Sequence, residues 1–286
     1  MNIDSHQHFW RYDPARHGWI DESMGLLKRD FLPEDLASEL DGNGIEASIA
    51  VQADQSEEET LFLLDLAKRA RRIAGVVGWT DLASPRIEER LRLFSQYRKL
   101  CGFRHVVQSE PDDDFMLRPE FMRGISRFPE FGFAYDILIY PKQLAAAIEL
   151  TGRFPGQRFV VDHLAKPAIK TRSISEWAAR IGSIAGNPNV YCKLSGLVTE
   201  ADWRGWTAAD FDAYLDVVFE AFGVDRLMFG SDWPVCLLAG SYRQVRHIVE
   251  NYVDRNAPGA KDKIFGENAT RFYDLKAHTD GLADSG

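Results

Sequence analysis

Asn2-Ile3-Asp4-Ser5-His6-Gln7-His8 opens the chain and alternates as a strand does, ending in two histidines. Side chains two apart on a strand share a face, so His6 and His8 stand together at the strand's exit. Seven further short β-branched or aromatic runs follow, at 47–52, 73–79, 100–104, 132–139, 158–162, 190–194 and 226–231. Helical stretches separate them, the pattern of repeated βα units on a parallel sheet. The runs start about 32 residues apart, room for one strand, one crossover helix and two short loops. Eight such units predict closure into a single-domain α/β protein, a (β/α)8 TIM barrel.

The intervening segments carry helix signals of their own. Ser56 with Glu59, and Ser173 with Glu176, have the spacing of capping boxes, and Thr207 with Asp210 repeats the design with an aspartate. Ser84 before Pro85 is a cap followed by proline at the first helical position, and Ile87, Leu91 and Phe94 then share one face. Pro33 and Pro141 open the first and fifth helices on the same reasoning. No stretch suits a domain linker. The barrel is expected over residues 1–275, and 276–286, which lose apolar periodicity, are expected to form a tail.

The 286 residues include 34 Lys and Arg against 43 Asp and Glu, a net charge of −9. That balance gives no footprint for nucleic acid or an anionic membrane surface. At 45% hydrophobic and 27% charged, the composition is that of an ordinary globular protein with a sizeable core. Cys101, Cys192 and Cys236 lie far apart with no CxxC pair and read as reduced core thiols. There is no secretory signal and no run of about 18 apolar residues, so a cytoplasmic location is expected.

In this architecture the active site forms at the C-terminal ends of the strands, and four of the runs end in polar groups. His6 and His8 end the first, which is metal-ligand geometry; the alternative is a pair of barrel-mouth histidines bonded to backbone. His163 follows the sixth run, with Pro167 blocking immediate helix propagation; the alternative is a satisfied interior histidine. Asp232 follows the eighth within Gly230-Ser231-Asp232-Trp233-Pro234, and its alternative is a cap on the next segment. Arg104 ends the fourth and suits an oxygen-rich substrate, or else an ion pair with a carboxylate.

Taken together, these stretches resemble the amidohydrolase superfamily. The resemblance rests on His6-Gln7-His8-Phe9-Trp10, Gly102-Phe103-Arg104-His105, Asp162-His163-Leu164-Ala165-Lys166-Pro167, Lys193-Leu194-Ser195-Gly196-Leu197, Gly230-Ser231-Asp232-Trp233-Pro234 and Glu267-Asn268-Ala269-Thr270-Arg271-Phe272-Tyr273. It is nearest to the sugar-lactonase branch, the L-fuconolactone and L-rhamnonolactone hydrolases. Metal-dependent members also use a lysine or histidine on the fifth strand, where this chain offers only Tyr135 and Asp136. The resemblance therefore implies that His6, His8 and Asp232 hold at most one divalent ion such as zinc, and a dispensable one.

Lactone hydrolysis needs a base for water, a site for the developing oxyanion and an acid for the departing alkoxide. Resemblance and strand-end position together assign Asp232 as base and later acid, with His163 and Arg104 stabilising the oxyanion. His6 and His8 orient the lactone or hold the metal. Trp10, Trp79 and Trp233 lie at or just beyond strand ends; Trp10 is expected to stack on the sugar, with Trp79 beside the substrate. Gln52 and Lys166 are expected to donate to sugar hydroxyls, against solvated loop side chains as the alternative. The expected partner is a small-molecule sugar lactone. A metal-dependent decarboxylase or amide-type hydrolase on the same barrel is the competing expectation.

Overall fold

The computed structural model describes residues 1–275; the expected tail at 276–286 lies outside the described residues. Eight parallel strands form one sheet in sequence order: β1 (Ile3–Gln7), β2 (Ala47–Val51), β3 (Ile73–Gly78), β4 (Leu100–His105), β5 (Ala134–Ile137), β6 (Phe159–Val161), β7 (Val190–Leu194) and β8 (Leu227–Phe229). Each lies within or overlaps a run read from the sequence. Helices return the chain outside the sheet: α1 (Pro33–Gly42), α2 (Glu57–Arg69), α3 (Ile87–Phe94), α4 (Pro119–Phe131), α5 (Leu144–Arg153), α6 (Ser175–Ala185), α7 (Ala209–Phe222) and α8 (Tyr242–Asn256), with a short α9 (Asn268–Phe272) after them. This is the expected (β/α)8 barrel. Among the described residues, no helix is long and apolar enough to cross a membrane.

The helix signals acted in part. Ser56 does cap α2, accepting from the Glu59 amide at 3.2 Å. The Glu59 carboxylate does not complete the box; it turns to the Ala53 and Asp54 amides in the loop leaving β2, and burial pushes its carboxyl up to about 8. Asp210 reaches back to the Thr207 amide at 2.8 Å ahead of α7. Ser173 makes no such bond, and α6 begins two residues later. Pro33 takes the first turn of α1, whereas Pro141 opens a 3-10 turn that leads into α5. Ile87, Leu91 and Phe94 are buried together on one face of α3, as their spacing requires. All three cysteines are buried and free.

The barrel's closing seam positions the site. It is made beyond the end of β8, where the Asp232 amide donates to His6 O at 2.8 Å and the His8 amide donates to Trp233 O at 2.7 Å. Asp4 secures the same junction from below, accepting from the Ser231 amide, the Ser231 hydroxyl and the Tyr242 hydroxyl. Gly230 is required here because a Cβ would lie 2.6 Å from that of His6.

Candidate active site

The seam brings Asp232 onto the histidines of β1. Asp232 Oδ1 lies 3.3 Å from His8 Nε2, 3.8 Å from His6 Nε2 and 3.9 Å from His163 Nε2, while the two β1 imidazoles approach to 3.2 Å between their Nε2 atoms. All four residues are almost fully buried, at 0% to 5% exposure. Burial pushes the Asp232 carboxyl up, but His163, His8 and His6 outweigh it and hold the group well below the usual carboxylate range. Burial likewise holds His163 down to about 4 and His6 well below its ordinary value, despite nearby carboxylates. Those two rings are neutral at pH 7.

The hydrogen bonds constrain which atoms carry lone pairs. His8 Nδ1 lies 2.8 Å from Val51 O, and since a carbonyl only accepts, that nitrogen holds a proton; in the neutral ring Nε2 then holds the lone pair. His6 meets donor-only groups at both ring nitrogens, Lys193 Nζ at Nδ1 and Arg104 Nη1 at Nε2, each at 3.2 Å; in the tautomer with its proton on Nδ1, 3.3 Å from Asp162 Oδ1, Nε2 also presents a lone pair. Two lone pairs and a carboxylate oxygen thus face one another across 3.2 to 3.8 Å. A tetrahedral zinc with ligands at about 2.0–2.1 Å has ligand-to-ligand edges of about 3.3 Å, so these residues fit a divalent ion. His6, Asp162 and His163 form a second, overlapping group of potential ligands.

His163 is aimed by an unusual backbone. His163, Leu164, Ala165 and Lys166 have φ of 53°, 54°, 56° and 51°, four successive residues in the left-handed region. Each non-glycine residue there costs on the order of 1 kcal/mol, so the surroundings must enforce the turn. Trp177 Nε1 donates to Leu164 O at 2.7 Å, and the Lys166 amide donates to His163 O at 2.7 Å. Ser195 Oγ lies 2.8 Å from His163 Nδ1. Gly196, at φ +64°, is needed alongside, because a Cβ would fall 2.6 Å from that same nitrogen.

Beneath the cluster lies a network of charges that the sequence reading did not anticipate. Lys193, on β7, is fully buried, with its ammonium 2.5 Å from Asp136, 3.0 Å from Asp162 and 3.2 Å from His6 Nδ1. Tyr273 donates to Asp136 at 2.7 Å. Asp162 also takes Arg104 Nη1 at 3.0 Å. One signal was available for Lys193, a lone charge inside an otherwise apolar strand. Asp162 carried none beyond its place before His163.

The remaining expected residues divide. Arg104 does reach His6, at 3.2 Å from Nε2, but its other N–H groups bind Asp162 and the Gln52 side chain and carbonyl, so it is an engaged clamp in place of the free donor expected. Gln52 is 0% exposed, with Oε1 committed to Arg104 and Nε2 directed to Asp54 O at 3.5 Å, which corrects the expectation that it donates to sugar hydroxyls. Trp10 needs the same correction. It is 1% exposed, donates Nε1–H to Arg29 O, and is walled in by Phe31, Trp19 and His17, leaving no face free to stack on a sugar. Its role is packing, as is that of Trp233, which lies against Phe9 and Phe31. Trp79 stays half-buried at the rim, its Nε1 3.3 Å from His105 Nδ1. Lys166 lies at the mouth, 3.7 Å from Glu200.

The amidohydrolase family profile matches residues 3–275. The chain belongs to that family. Among its amidohydrolase relatives, L-fucono-1,5-lactonase from Burkholderia multivorans is 43% identical, covering 98% of both chains. A second L-fucono-1,5-lactonase, from Burkholderia ambifaria, is 36% identical over 96% of this chain and 95% of its own. A crystal structure of a B. multivorans amidohydrolase with bound zinc superposes at a TM-score of 0.92, with 43% identity over 96% of this chain and all of that one.

Proposed function

We propose that this amidohydrolase hydrolyses a sugar-derived lactone, of the L-fucono-1,5-lactone kind, to the open sugar acid. The carrying observation is the convergence of an ionised Asp232 on His6, His8 and His163 at the barrel mouth. The lactonase relatives supply the substrate class.

In this reading Asp232 takes a proton from water as the water oxygen bonds the lactone carbonyl carbon. Charge develops on the carbonyl oxygen. His163 meets it: with Ser195 donating to Nδ1, the neutral ring carries its proton at Nε2, the nitrogen on the Asp232 side. Arg104, held by Gln52 and Asp162, contributes its buried positive charge beside His6. As the intermediate collapses, the ring C–O bond breaks and Asp232 returns its proton to the departing alkoxide. His6, His8 and Asp232 would hold a divalent ion, which when bound supplies Lewis-acid polarisation of the carbonyl and a more acidic water. A lactone is an activated ester, so the protein groups suffice without it.

The test is acid release from a panel of 1,5- and 1,4-aldonolactones, followed with a pH indicator, with and without chelator. Turnover of L-fucono-1,5-lactone that persists after chelation is expected. Absence of turnover on every lactone would remove the reading.

A further inference from the structure

Lys166 and Glu200 form an acid–base pair at the barrel mouth that the protein itself leaves incomplete. Lys166 ends the left-handed turn that begins at His163, and Glu200 lies in a 3-10 turn (Val198–Glu200) after β7. Their side chains are 18% and 20% exposed, and the ammonium-to-carboxylate distance is 3.7 Å, beyond hydrogen-bond range. Among the described residues, neither charged group makes any hydrogen bond. The Lys166 ammonium otherwise rests 5.5 Å above the Tyr140 ring. Two mostly buried charges with unused donors and acceptors would be poorly placed in a purely structural pair, which would close to about 2.8 Å.

The pair also adjoins the turn that carries His163, since Lys166 is the fourth residue of that turn. Burial pushes the Glu200 carboxyl up, Lys166 opposes this, and the charge of Asp232 adds to the rise. Lys166 in turn is among the charges acting on His163. The strain of four left-handed residues delivers two side chains to this place, His163 and Lys166, and the first already has a task.

We infer that Lys166 and Glu200 together read a hydroxyl of the lactone, the ammonium donating to the hydroxyl oxygen and the carboxylate accepting its proton. A hydroxyl is both acceptor and donor, which matches one unused donor beside one unused acceptor. A methylene in that place would leave both mostly buried charges without a partner, so the pair selects hydroxylated lactones over bare ones. This rests on the lactone reading and assigns that site its selectivity.

The experiment compares kcat/KM for L-fucono-1,5-lactone with that for δ-valerolactone, the six-membered ring without hydroxyls, in wild type, Glu200→Gln, Lys166→Met and the double variant. Each single change is expected to lower the ratio of the two by about tenfold or more, chiefly through KM for the sugar lactone. The double variant is expected to lose less than the product of the two, because both act on one hydroxyl. Thermal unfolding of each protein verifies that it folds, and Lys166→Met carries the test if Glu200→Gln does not. A ratio within threefold of wild type, or equal losses on both lactones, would overturn the inference while leaving the lactone reading intact. Wild type that opens neither lactone would overturn both.

Discussion

The two nitrogens of His6 look into two different environments. On the Nδ1 side lie Lys193, Asp136, Asp162 and Tyr273, a fully buried set in which Lys193 and Arg104 offset two carboxylates. On the Nε2 side lie His8, His163 and Asp232, where lone pairs and a carboxylate face each other and each residue retains 4% to 5% exposure. The first region is sealed and its charges are offset, although Asp136 Oδ1 and Asp162 Oδ1 have no hydrogen-bond partner. The second is unbalanced and touches solvent, so it has capacity left for a proton, an ion or a substrate. The contrast teaches that charge density alone does not mark an active site; a carboxylate without a counter-cation, placed where solvent reaches it, does.

The most severe test of this division is Asp232→Asn, which keeps shape but removes the proposed base. It should lower kcat by about 10³–10⁴, roughly 4–5.5 kcal/mol of barrier, in a protein that still folds cooperatively but loses the stability its depressed carboxyl supplies at pH 7. Near wild-type kcat would sink the assignment. Lys193→Met should show the opposite signature. It leaves two carboxylates without their shared cation, and urea unfolding should report a loss of about 3–5 kcal/mol. If stability holds and only turnover falls, the lower network belongs to the chemistry after all.

Arg104→Lys probes the boundary between the regions, since Arg104 binds both Asp162 and His6 Nε2. A lysine cannot span Gln52, Asp162 and His6 at once, and kcat/KM should fall by about 10–10² with a modest drop in stability. Ser195→Ala is the mildest. It removes the bond that fixes the His163 tautomer, about 1 kcal/mol, and steady-state kinetics should show a loss of up to about tenfold in kcat with KM held. A larger effect on KM than on kcat would place His163 in binding in preference to the oxyanion role.

Much of this was legible in the sequence, for local reasons. A parallel strand is a short apolar run whatever its neighbours, so all eight strands were found, and with them the strand ends that carry His6, His8, His163 and Asp232. What escaped depends on direction across the barrel. Gln52 and Trp10 occupy strand-end positions like those of the site residues, yet one turns to grip Arg104 and the other packs under Phe31. No spacing rule distinguishes them. Lys193 and Asp162 meet only because strands β6 and β7 pair in register, Val161 beside Cys192. The left-handed turn at His163 has no glycine to announce it, because tertiary packing enforces it.

The seam that closes the barrel has a temporal consequence. Asp4 and Ser231 are 227 positions apart, and the bonds between them align Asp232 over His6. The chain through Asp232 must therefore emerge from the ribosome before the first strand meets its last partner. A nascent chain ending after β7 would hold the histidines without their carboxylate, so the cluster is completed in one late step, with the final strand acting as the key.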